Sequence, residues 1–430
     1  MNFPMVKIEK ISQNITPFGG ICIVHDMFKR FGLLKLIGKE LGTRVSTCGY
    51  TYGTLVNNWF DLFMCGGNCA EDIEEHLRET LTAIPGNKVS RADTLLRCMR
   101  ELSIENTPFT SDSGITYSFN INQKMNSLLM KSLLLTGQLQ KGMTYDFDYD
   151  NQIIEHQKYD AKKTYKKTTG YFPGIASIGN HLVYIENRSG NANVKTGQVQ
   201  TLSNAYLLLA ENGIKINRSR MDAGSYAKDI IEVVAAHSEL FYIRANRCTS
   251  LTERIRQIPK WDTVEINFKE YQVSSLKFTQ FFEDKNYRLV VMREKSTDPQ
   301  LDLFTGDNFI YRCILTNDHE SSEKEIIEYY NQRGASETNF DVMNNDFGWK
   351  HLPSSDMEPN TVYLIMTAIF KNFYDYILPK ISKVFKNISP TSRLKRFIFR
   401  FISVAGRWVY QNRQWKLKLY TRRPYERLAA

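Results

Sequence analysis

Three stretches carry the residues best suited to chemistry. In MTYDFDYDNQ, Asp146, Asp148 and Asp150 alternate with Tyr145, Phe147 and Tyr149. On a strand, the period of two sends the aromatics to one face and the aspartates to the other. The aromatic face can be buried, whereas a row of like charges repels itself and calls for a cation over it. The second stretch is RSRMDAGSY, where Asp222 reads either as an acid at the carboxyl edge of a strand or as an ordinary turn aspartate ahead of Gly224 and Ser225. The third is EYYNQRGASETNF. On one helix, Tyr330, Arg333 and Glu337 stand at i, i+3 and i+7 and share a face, although Arg333 with Glu337 also reads as a surface pair worth roughly 0.2–0.5 kcal/mol.

The elements that must position these residues follow from periodicity. Residues 1 to about 135 read as helical, with apolar spacing in HDMFKRFGLLKLIGKEL and TLVNNWFDLFM. SRADTLLRCMREL, with Ser90 as its cap and Arg91, Arg97 and Arg100 along it, reads as a structural helix more readily than as a reader of DNA bases. From 143 the texture changes to strands: MTYDFDYD, TGYFPGIASIG and HLVYIENR, with a hairpin at Gly179 and Asn180. The helix GQVQTLSNAYLLLAENG carries Val199, Leu202, Tyr206 and Leu209 on one stripe and stops at Asn212 and Gly213. A strand (IKINRSRM), a helix (SYAKDIIEVVAAH) and a strand (LFYIRANR) follow, giving the order β-β-β-α-β-α-β. Residues 248 to about 317 break the rhythm: TVEINFKEYQV, YRLVVMRE and NFIYRCILTN read as strands of an inserted β-rich unit, separated by polar stretches such as EKSTDPQLD. A long helix from about Glu323 to Asn345 resumes the pattern, followed by a helical PNTVYLIMTAIFKNFYDYIL.

The 430 residues, 42% hydrophobic, are enough for sizeable cores and two to three domains. Of seven cysteines only CGGNC holds a close pair, and it has no second half, so reduced thiols are expected rather than zinc. The seven histidines form no close pair either. No apolar run approaches the roughly 18 residues of a membrane helix, and the start MNFPMVKIEK has no signal-peptide core, so the expected location is cytoplasmic. The net charge of +10 is concentrated: from Thr391 to Ala430 there are eleven Lys and Arg against Glu426 alone. Nucleic acid is the first partner expected for RLKRFIFRF and GRWVYQNRQWKLKLYTRR, ahead of an anionic membrane or a merely solvated tail.

The β-β-β-α-β-α-β order with an acidic first strand is that of ribonuclease H-like domains, in which a second acid lies at the end of the fourth strand. With a glutamate on a helix after the β-rich insertion, the chain resembles the DDE transposases of bacterial insertion sequences, in the branch marked by a tyrosine, arginine, glutamate and lysine helix signature. YDFDYD, GYFPGIASIGN, RSGNA, RMDAGSYAKDII, YRLVVMRE, YRCILTN, YYNQRGASETNF and DFGWKHLPS fall in that family's order, and RFISVAGRWVYQNRQWKLKLY resembles its basic carboxyl-terminal segment. The resemblance implies an α/β, ribonuclease H-like catalytic domain at 136–247 and 318–350, interrupted by a β-rich insertion at 248–317. A helical DNA-binding region at 1–135 and a helical, basic region at 351–430 flank it.

Carried over, the catalytic and metal-holding residues are Asp148, Asp222 and Glu337, with Asp146 a rival for the first position. Tyr330 and Arg333 would position the phosphate or a distorted base. The signature lysine falls at Asn344, so its phosphate contact passes to Lys350; Arg407, Arg413 and Lys416 are the DNA contacts expected in the tail. Three carboxylates suit two Mg²⁺ or Mn²⁺ ions about 3.5–4 Å apart, which serve the attacking and leaving oxygens of in-line displacement at phosphorus. The implied partners are double-stranded DNA, the element's own terminal inverted repeats and a second copy of the chain on DNA, with no membrane and no nucleotide cofactor. Trp261 reads as a base-stacking residue or, more simply, as core. Two rivals remain: a metal-dependent nuclease of the same fold without strand transfer, and a decayed copy that only binds DNA, for which Asn344 is the hint.

Overall fold

In a computed structural model of the protein, residues 8, 15–45, 49–111, 113–246, 249–282, 284–296 and 308–428 are described. Most of EKSTDPQLD, along with Cys48 and Cys248, lies outside them; the five other cysteines are free thiols. The chain forms two compact units, residues 99–373 and residues 1–98 with 374–430. The boundaries expected near 135 and 351 therefore fall at 98/99 and 373/374. The sequence from 107 to 136 joins the larger unit because its strands and its helix Gln123–Thr136 pack on the same sheet.

The strands are β1 Thr107–Thr110, β2 Thr116–Asn120, β3 Thr144–Asn151, β4 Ile154–Glu155, β5 Lys162–Lys163, β6 Thr169–Tyr171, β7 Gly174–Ile178 and β8 His181–Arg188. They continue with β9 Lys215–Met221, β10 Leu240–Ala245, β11 Asp262–Ile266, β12 Lys269–Phe278, β13 Tyr287–Lys295 and β14 Phe309–Thr316, and end with β15 Gly406–Gln411 and β16 Gln414–Leu419. The larger unit is built on an eleven-stranded mixed sheet of order β1-β2-β8-β7-β3-β9-β10-β14-β13-β12-β11. Only β3 with β9 and β9 with β10 run parallel; the helices Gln198–Glu211 and Lys228–His237 supply the crossovers that parallel pairing demands. As the stripe predicts, Leu202, Tyr206 and Leu209 are buried, in one cluster with Phe147 and Tyr149 of β3 and Met221 of β9. The hairpin between β7 and β8 turns at Gly179, whose φ of 56° suits glycine.

Three expectations change here. TVEINFKEYQV is two strands, β11 and β12, reversing at Asn267 and Phe268 (φ 52° and 62°), both in the left-handed conformation of a tight hairpin turn. The β-rich segment is no separate unit: β14 pairs with β10 and continues the same sheet. The expected helix from Glu323 to Asn345 is interrupted, as Glu323–Asn331, a 3₁₀ turn Gln332–Gly334, and Ala335–Asp346. Its start is well specified, since Ser322 and Glu325 form a reciprocal capping box.

In the smaller unit the helices Ile21–Arg30, Leu33–Leu41 and Tyr52–Met64 bury an aromatic and aliphatic core, and β15 and β16 form an antiparallel hairpin. Gly20 passes so close to Phe401 that a Cβ there would lie 2.1 Å from its carbonyl oxygen. Ser90 is no cap: its hydroxyl is buried without a hydrogen-bond partner, while Glu74 Oε1 accepts from the Ala92 N–H at 3.0 Å. Among the described residues no helix is long and apolar enough to cross a membrane.

Candidate active site

The cation called for by the aspartate row is present three times over. Because β3 and β9 run parallel in register, with Asp148 level with Arg220 and Tyr149 with Met221, the arginines of RSRM project beside the aspartates of YDFDYD. Arg218 donates to Asp146 through Nε at 3.1 Å and Nη2 at 2.7 Å. Arg220 grips Asp148 in the same two-pronged way, Nε to Oδ1 at 2.7 Å and Nη2 to Oδ2 at 2.8 Å. Asp150 is met by Arg333, with Nη2 2.6 Å from Oδ2.

Each aspartate of the row is thus paired with an arginine. Asp148 is 4% exposed and each of its oxygens accepts from Arg220, a buried bidentate pair. Asp146 is likewise engaged by Arg218. Asp150 is the acid that meets other acids. Burial pushes its carboxyl up to about 6, Arg333 holds it down, and the charges of Asp222 and Glu337 push it up again. By continuation of the strand register Asp150 stands level with Asp222, which follows the last residue of β9. Of the row, Asp150 is the one whose carboxyl responds to the charges of both Asp222 and Glu337. Parity puts Asp146, Asp148 and Asp150 on one face; Asp150 is the one that continues the register level with Asp222.

The helix Glu323–Asn331 is fastened over this edge. The Tyr330 hydroxyl donates to the Met221 carbonyl at 3.1 Å, and Arg220 Nη1 donates to the Tyr329 carbonyl at 2.8 Å. The Tyr329 ring lies under both arginines of β9, 4.1 Å from the Arg218 guanidinium and 4.6 Å from that of Arg220. Burial works against the charge of Arg333, yet Asp150, Tyr330, Asp222 and Asp148 together strengthen it. Burial pushes the Tyr330 hydroxyl up to about 12. The 3₁₀ turn advances the chain by about 120° per residue instead of 100°, so Tyr330, Arg333 and Glu337 do not lie on one continuous helical face. Arg333 points to Asp150, and Glu337 is exposed in the first turn of the next helix.

Asp222 is half-buried, and its Oδ1 accepts from the Gly224 N–H at 2.9 Å, so the turn role and the acidic role coexist. Lys350 is exposed and donates to Asn345 at 2.9 Å. Arg413 and Lys416 are exposed on the β15–β16 hairpin and Arg407 is half-buried there. Trp261 takes the simpler of its two readings: it packs against the core cluster, with the Arg293 guanidinium 3.9 Å over its ring.

Oxygen donors of this kind suit hard divalent cations. Burial is the main cause of the raised carboxyl of Asp150; the Arg333 guanidinium opposes it and the charges of Asp222 and Glu337 add to it. Among the described residues no three acidic, histidine or cysteine side chains stand close enough to hold an ion as they are. The donor types fit a divalent metal, and Arg333 pairs with Asp150 at the same place.

The central parallel strands of this mixed α/β protein end in acids, and comparison with known families says which proteins it belongs with. The chain belongs to the DDE transposases: the family model for the transposase DDE domain group 1 matches residues 3–430. It is thus an enzyme that cuts DNA and transfers the cut strand, in a family generally dependent on divalent metal. The chain is also similar to the cryo-EM structure of a piggyBac transposase synaptic complex with hairpin DNA, at 12% identity and a TM-score of 0.42, covering 90% of this chain and 80% of that one. No curated protein matches it.

Proposed function

We propose that this chain is a cut-and-paste transposase of a bacterial insertion sequence, from the branch with the tyrosine, arginine, glutamate and lysine helix signature, working through a ribonuclease H-like core. The supporting order is β8-β7-β3-β9-β10, with acids ending the central parallel pair. The observation that carries the catalytic assignment is that Asp150 continues the register of β3 level with Asp222 at the end of β9, where the charges of Asp222 and Glu337 act on its carboxyl. These three hold Mg²⁺ or Mn²⁺, two ions per site, in place of the sequence-derived set with Asp148. When bound, such ions supply Lewis-acid stabilisation and a reactive nucleophile for in-line displacement at phosphorus.

The chain's own residues then have distinct tasks. Asp148 and Arg220 tie β3 to β9 and so fix the spacing of Asp150 and Asp222. Tyr330 anchors the helix end to Met221, and Arg333, released from Asp150, pairs with a phosphate oxygen of the DNA. Lys350 contacts phosphate in place of the missing signature lysine, and Arg407, Arg413 and Lys416 do so from the hairpin. The substrates are the element's terminal inverted repeats, held by a dimer.

The test uses linear DNA carrying the gene's own flanks, incubated with the protein and Mg²⁺ or Mn²⁺. Cuts at discrete flank positions should disappear in Asp150→Ala, Asp222→Ala and Glu337→Ala and persist in Asp146→Ala. Cutting that survives Asp150→Ala would return the first ligand to Asp148; binding without any cut by the unmutated protein would overturn the catalytic reading.

A further inference from the structure

The smaller unit holds a cavity of about 680 Å³ that the proposed catalysis does not use. One wall is a face of the β15–β16 hairpin. Cross-strand pairing puts Trp408 opposite Leu417 and Tyr410 opposite Trp415 on one face, and Arg407 opposite Lys418 and Val409 opposite Lys416 on the other. The first face lines the cavity through Trp408, Trp415 and Leu417, and the second is cationic. Trp415 is 54% exposed, a large aromatic surface left open.

Opposite the hairpin stands His25, buried on the helix Ile21–Arg30. Its ring is fixed from one edge: Nδ1 donates to Asp61 Oδ2 at 2.6 Å, and Asn57 Nδ2 donates to the same oxygen at 2.8 Å. Nε2, at the other edge of a ring that lines the cavity, is buried with no hydrogen-bond partner. With the Nδ1 proton given to Asp61, Nε2 is an acceptor awaiting an N–H. Lys29 and Arg423 also line it, Arg423 with Nη1 donating to the Arg400 carbonyl, while Arg30 is tied to Asp26 at 2.5 Å and Glu426 is the remaining acid.

An aromatic wall, a buried hydrogen-bonding nitrogen and lining cations recognise a planar heterocycle that carries an anion. The volume lies within the roughly 300–1,000 Å³ of small-molecule sites. We propose that this cavity binds a nucleotide, with its base stacked on Trp415 and hydrogen-bonded to His25 Nε2 and its phosphate held by Lys29 and Arg423. An unpaired nucleotide of bound DNA is the favoured source, because the opposite face of the same hairpin presents cations to phosphates; a free nucleoside monophosphate has the same chemistry. The DNA source rests on the proposed DNA-binding role of the hairpin and not on the catalytic carboxylates.

Binding is measured with the full chain in EDTA, so that no strand is cut. The probes are a short duplex with one bulged 2-aminopurine, the same duplex fully paired, and free dAMP. The bulged duplex should bind roughly tenfold more tightly than the paired one, with 2-aminopurine emission quenched. Trp415→Ala should erase that preference while leaving affinity for the paired duplex unchanged. His25→Gln disturbs a buried ion pair and puts folding at risk, so the substitution at the exposed Trp415 is the deciding one. Binding of dAMP that Trp415→Ala abolishes, with no preference for the bulge, supports the site with free nucleotide as its source. If no DNA binds but dAMP does, the DNA role of the hairpin fails and the cavity stands. Equal affinity for both duplexes together with no dAMP binding, or a bulge preference that survives Trp415→Ala, overturns the proposal.

Discussion

Arg333 reaches from the 3₁₀ turn between two helices to within 2.6 Å of Asp150, the acid whose carboxyl burial and its acidic neighbours push up to about 6. A guanidinium thus neutralises the carboxylate that the proposed chemistry assigns to metal. Replacing Arg333 by Ala leaves Asp150 facing Asp222 and Glu337 uncompensated. Two effects are expected together: tighter Mn²⁺ binding, because a competing cation is gone, and a loss of cleavage rate of roughly a hundredfold, because a phosphate contact is gone. Calorimetric Mn²⁺ titration beside cleavage kinetics checks this; unchanged Mn²⁺ affinity would sink the competition.

Asp148 and Arg220 behave as a structural pair. Both are buried, so Arg220→Ala strands a charge and should cost about 3–5 kcal/mol in urea unfolding. The double substitution Asp148→Ala with Arg220→Ala should cost less than the sum of the single ones. Additive losses would show that the pair is not coupled.

His156 sets an acid limit on stability. Burial, then the charge of Lys158, lowers its pKa from 6.5 to about 4; its Nδ1 accepts from the Lys158 N–H and its ring packs against Tyr171. The unfolded chain therefore takes up a proton that the folded one refuses, and stability present above pH 6.5 is lost as pH falls towards 4. His156→Gln should flatten the melting temperature across that window relative to the parent. An unchanged slope would assign the acid sensitivity elsewhere.

Phe268 turns the β11–β12 hairpin with a φ of 62° while 98% exposed, so its ring gains no packing for the backbone cost. Phe268→Gly at this turn should raise stability by about 1 kcal/mol, read as a higher midpoint in urea. A lower midpoint would mean that the ring contributes a contact in solution.

The sequence by itself determined the main strand and helix order from β3 to β10, the acidic face of β3, Asp222 at the end of β9 and the cationic tail. Each follows from periodicity or composition, which are local: alternation in YDFDYD, the stripe of Leu202, Tyr206 and Leu209, and the Arg and Lys run after Thr391. Only the tertiary structure decided which arginine meets which aspartate. A period of two makes Asp146, Asp148 and Asp150 equivalent until β9 is laid beside β3, and that pairing joins residues 72 apart, assigning Arg218 and Arg220 to the first two. The 3₁₀ turn at Gln332–Gly334 was equally hidden, because a helical pattern does not reveal where its twist tightens, and that turn is what sends Arg333 to Asp150. Nor could spacing along the chain bring His25 to face Trp415 across a cavity, since the two stand at opposite ends of the sequence and meet only through folding.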